Sequence, residues 1–102
     1  MPVLTLDQAQ NVLLKRFYAE AAHRLADSSD PQHIRALKLL PIIDEITAER
    51  PITLSRSDVE NMAMVVDLAL SWHLAATPAA LSSEEHSLAH EIQAKLLQAN
   101  RT

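Results

Sequence analysis

Apolar positions recur along this chain with the spacing of helices, and polar clusters with proline break them into four runs. Leu6, Leu13, Leu14, Phe17, Tyr18, Ala21 and Leu25 gather on one face at about 100° per residue, while Lys15, Arg16, Glu20, His23 and Asp27 fall elsewhere. Thr5 and Gln8 have the spacing of a capping box, so the pattern predicts a first helix over about residues 6–27. Asp27-Ser28-Ser29-Asp30-Pro31 interrupts it, and Asp30 before Pro31 is a strong helix start. Ile34, Leu37, Leu40, Ile43 and Ile46 continue at helical spacing. Pro41 stands among them, where it removes an amide donor and crowds the preceding turn. The second run should therefore kink, or divide into pieces near 31–39 and 42–50.

Pro51-Ile52-Thr53-Leu54 reads as a connector whose Ile52 and Leu54 turn inward. Ser55 with Asp58 caps a third helix to about Ala76, with Ser57 and Glu60 as a competing start. Ser82 with Glu85 opens a fourth, to about Gln98. The fold class expected is all-α: a single domain over residues 1–102 with four main helices, the second broken or kinked at Pro41, in a compact bundle or orthogonal array.

The third helix departs from an ordinary amphipathic pattern. Val59, Met62, Met64, Val65, Val66, Leu68, Leu70, Trp72 and Leu74 leave Glu60, Asp67 and Ser71 only a stripe roughly 40° wide. A helix of that kind is buried on nearly every side. It is either the centre of a monomer or shared between a monomer and a partner. The second arrangement nominates Met64, Val65, Leu68 and Trp72 as a contact surface for a second copy or an unidentified protein.

Composition narrows the chemistry. There is no glycine, against roughly seven at average usage. P-loops, dinucleotide-binding turns and nucleophile elbows all need it at fixed places. No cysteine is present, which removes disulfides, thiol catalysis and thiolate metal sites. The opening residues lack the marks of a signal peptide and no apolar run is long enough for a bilayer, so a cytoplasmic protein without membrane contact is expected. Thirteen acidic against nine Lys and Arg residues give a net charge of -4, which disfavours broad affinity for nucleic acid.

His86 and His90 stand at i,i+4 opposite the stripe of Leu88, Ile92, Leu96 and Ala99, a spacing that can chelate zinc, nickel or copper from a solvent-facing surface. His73 lies on the apolar side of the third helix, a quarter-turn or more from Glu60 and Asp67, and reads as a core or interface histidine. Asp44, Glu45 and Glu49 read as a solvated acidic face. His33 followed by Lys38 lacks the spacing and the glycine of histidine-phosphotransfer domains. Arg35 and Lys38, with Lys15, Arg16 and Arg24, form the best basic strip for DNA. The expectation is a non-enzymatic, cofactor-free interaction module or regulator, working as a homodimer or on another protein. A DNA-binding regulator and a metal-responsive protein using His86 and His90 are the alternatives.

Overall fold

The computed structural model describes residues 2–46, 50–75 and 81–101. Its described elements are strand β1 (Val3–Leu4), helices α1 (Gln8–Arg24), α2 (Pro31–Leu37) and α3 (Leu40–Ile43), strand β2 (Ile52–Thr53), and helices α4 (Arg56–Ala75) and α5 (Ser83–Asn100). The all-α class and the four-run order hold, with the second run divided into α2 and α3.

The first helix begins two residues later than Thr5 and Gln8 suggest. Asp7 is the N-cap: its Oδ1 accepts from the Gln10 amide at 2.8 Å, and the Gln10 side chain accepts from the Asp7 amide at 3.2 Å. Residues 3–4 are held extended in β1, so the backbone cannot turn helical at Thr5. A carboxylate at this end also meets the positive pole of the helix dipole. The helix stops at Arg24 rather than 27. The other starts fall as expected: Asp30 accepts from Gln32, Ser55 from Asp58, and Ser82 and Glu85 form a reciprocal box.

Pro41 does not kink a helix; it sits in the first turn of a new one, where its missing N–H leaves nothing unsatisfied. The break falls at Lys38 and Leu39. α3 ends at Ile43, short of the expected 50, and Asp44 and Glu45 form a turn; Glu49 lies outside the described residues. Asn11 is buried because its Nδ2 donates to the Ile43 and Ile46 carbonyls, at 2.7 and 2.9 Å. The Ile43 oxygen also accepts from the Ile46 amide at 3.1 Å, so Asn11 ties the turn after α3 to α1.

The lack of glycine shows in how helices stop. The C-cap residues Leu25, Lys38, Asp44 and Arg101 have φ of -104°, -69°, -59° and -88°, none left-handed. Short i→i+3 bonds finish these ends instead, such as Leu39 to Ala36, Glu45 to Ile42 and Arg101 to Gln98.

β1 and β2 pair antiparallel, Val3 opposite Thr53 and Leu4 opposite Ile52, and the Leu54 amide extends the ladder to the Pro2 carbonyl at 2.8 Å. This ribbon was not expected from the sequence. It fixes the connector and buries Leu4 and Leu54 in the core.

α4 runs through the centre, packed by α1, α2 and α5. Arg56 donates to the Asn100 carbonyl and Gln93 to Asp67, so α4 and α5 lie antiparallel. Phe17, Tyr18, Ile43, Met62, Val65, Val66, Ile92 and Leu96 belong to one apolar cluster. The radius of gyration, 13.0 Å, is what a compact chain of this length requires. No described helix is long and apolar enough to cross a membrane.

Candidate functional site

The expected contact surface on α4 separates into two depths. Val65 is fully buried inside the monomer and belongs to the core, correcting its assignment to an interface. On the helix wheel it lies inside the buried arc, which covers roughly 200° at 100° per residue and centres on Met62, Ala69 and His73. Met64, Leu68 and Trp72 lie along one margin of that arc and stay partly exposed. Trp72 is not idle there: the Arg24 guanidinium of α1 stacks 4.8 Å from the centre of its ring. Met64 and Leu68 remain as the half-covered apolar flank. α2, which packs on α4, carries Ile34 at 44% exposure. Leu74, 71% exposed, emerges instead on the stripe of Asp67 and Ser71, a surface position that its apolar character concealed in the sequence.

On α5 the His86 and His90 rings stack with centroids 6.5 Å apart and planes at 28°. His86 is half-buried and His90 exposed. His90 Nδ1 lies 3.1 Å from Gln93 Oε1, and Gln93 Nε2 donates to Asp67 Oδ1 of α4 at 2.7 Å. Among the described residues no group of three or more potential metal ligands converges. Gln93, one turn along from His90, was readable from spacing alone, whereas Asp67 required the antiparallel pairing of α4 and α5.

The basic strip does not assemble as expected. Arg35 on α2 and Lys38, the residue that caps its end, are exposed. Lys15 is instead paired with Asp44 at 2.7 Å, Arg16 with Glu85, and Arg24 covers Trp72. The amide bond from Ser82, and then Arg16, hold the Glu85 carboxyl below its ordinary pKa.

His73 is buried, its ring 5.9 Å from Phe17 and its Nε2 2.8 Å from Glu20 Oε2 of α1. This is an ion-pair distance, but no hydrogen bond of good geometry reaches that oxygen. Neither Glu60 nor Asp67 is the partner. Glu20 comes from another helix, so no spacing within the third run could reveal it. Tyr18 is fully buried and its hydroxyl has no hydrogen-bond partner among the described residues. Burial, followed by the negative charge of Asp58, pushes its pKa far above the ordinary 10.0.

A groove of about 410 Å³ lies between β1 and α5, lined by Val3, Leu4, Thr5, Ala94, Lys95, Gln98 and Ala99. Its one cationic group is already engaged: Lys95 Nζ donates to Gln10 Oε1 at 2.6 Å, and Gln10 in turn donates to Glu91.

No family model, no curated protein and no solved structure matches this chain.

Proposed function

We propose that the protein is a small non-catalytic interaction module that associates with a second copy of itself through the margin of α4. The observation that carries this reading is the half-covered flank. After α1, α2 and α5 have packed around α4, Met64 and Leu68 still meet solvent. Apolar side chains left at the edge of a core gain by further burial, at about 25 cal/mol per Å² of apolar area removed from water. A twofold axis along such a flank sets like against like, so a single patch supplies both halves of the contact. Trp72 and its Arg24 cover would take part in this contact, since interfaces are enriched in aromatic and arginine side chains.

Sedimentation equilibrium tests the reading. The expected species has twice the 11.3 kDa chain mass, and Leu68→Glu returns it to the single-chain mass while helical circular dichroism persists. A wild-type protein that stays at 11.3 kDa across the micromolar range would overturn it. The DNA-binding alternative has less support, because Lys15, Arg16 and Arg24 are spent on contacts within the fold.

A further inference from the structure

We infer that His86 and His90 form a two-nitrogen chelate for a borderline divalent transition-metal ion (Cu²⁺, Ni²⁺ or Zn²⁺) on the outer face of α5. The inference is independent of the α4 flank and goes beyond it. Residues at i,i+4 share a helix face, and the two rings already stack with centroids 6.5 Å apart. A ring nitrogen binds these metals at about 2 Å, so two rings on one ion at a tetrahedral angle stand about 5 Å centre to centre. Closing by about 1.5 Å is within reach of small χ rotations at an exposed site.

The protonation of His90 follows from its neighbours. The Asp67 carboxylate, when ionised, only accepts, so the Gln93 amide must turn its NH₂ towards it, at 2.7 Å. The Gln93 oxygen is then left facing His90 Nδ1 at 3.1 Å, and an amide oxygen also only accepts. His90 therefore carries its proton on Nδ1 and presents the lone pair of Nε2. An oxygen acceptor behind the far nitrogen is the arrangement that orients histidine ligands and raises their basicity. Gln93 is accordingly a positioning residue, relaying the charge of Asp67. The remaining coordination positions are left to water. Imidazole ligands and an exposed, incomplete shell suit Cu²⁺, Ni²⁺ and Zn²⁺ and disfavour Mg²⁺ and Ca²⁺.

The test uses the untagged full chain with NiCl₂ or ZnCl₂ at about 1 mM, a concentration chosen to saturate weak sites. Thermal melts should rise by a few degrees, and the His86 and His90 ring resonances should shift or broaden in NMR spectra. Mg²⁺ should do neither. His86→Gln or His90→Gln should abolish both effects, while His33→Gln keeps them. Gln93→Leu should weaken metal affinity about tenfold, the low end for loss of an outer partner, and ring ¹⁵N shifts should show that His90 no longer holds its proton on Nδ1 alone. Ring resonances of His86 and His90 unmoved by Ni²⁺, or a metal-induced rise in melting temperature that survives in the double His86→Gln/His90→Gln variant, would overturn the assignment.

Discussion

α4 and α5 lie side by side and antiparallel, yet they meet solvent in opposite ways. α4 is covered by α1, α2 and α5, leaving a narrow polar stripe and one half-exposed apolar margin. α5 buries only Ala89, Ile92, Leu96 and Ala99, and turns His90, Glu91, Ala94, Leu97 and Gln98 outwards. The difference teaches that apolar richness in a helix reports first how central it is in its own subunit. The apolar surface left to solvent is only what remains, here Leu74 and the partly covered Met64 and Leu68. The more conventional α5, with less of its surface committed to packing, is where polar groups are free to meet a ligand.

The sharpest way to break this contrast is to place charge at two depths on α4. Val65→Glu should cost more than about 4 kcal/mol, a large part of the roughly 5–15 kcal/mol of an ordinary domain, because an unpaired carboxylate would sit in the core. Leu68→Glu should cost no more than about 1 kcal/mol when unfolding is followed at the lowest workable protein concentration. Equal losses at the two positions would mean that α4 has no exposed flank. On α5 the contrast is milder. Ile92→Ala should lose roughly 2–5 kcal/mol by urea denaturation, whereas Leu97→Ala should stay within about 0.5 kcal/mol.

The smallest effect concerns Tyr18, in the core beside Asp58 of α4. Its hydroxyl is buried without a partner among the described residues, so Tyr18→Phe should gain about 1 kcal/mol. Because the folded state holds the phenol proton more tightly than the unfolded state, the wild-type protein should lose stability as pH climbs past about 10. Denaturation midpoints for the phenylalanine variant should fall less steeply over the same range.

Cap chemistry made several helix starts legible, since Asp30, Ser55 and Ser82 act within three residues of themselves. Asp7 was harder because Thr5 with Gln8 offers the same spacing, and only the pairing of Leu4 with Ile52 decides between them. That pairing joins residues almost fifty positions apart, beyond any local pattern. The division of the second run was readable from Pro41. Its exact position was not, because Pro41 acts as an initiator of α3 rather than a breaker. At the surface, the i,i+4 placement of His86 and His90 was plain from the sequence. The separation of buried Val65 from partly exposed Met64 and Leu68 depended on where α1, α2 and α5 settle, which a wheel drawn for one helix does not contain.

The small ribbon near the start of the chain has a wider topological meaning. β1 is zipped to β2 on one edge, and its Val3 and Leu4 share a groove with Gln98 and Ala99 of the last helix. A two-residue strand therefore ties the connector ahead of α4 to the last turns of α5, uniting three segments that no local contact would bring together.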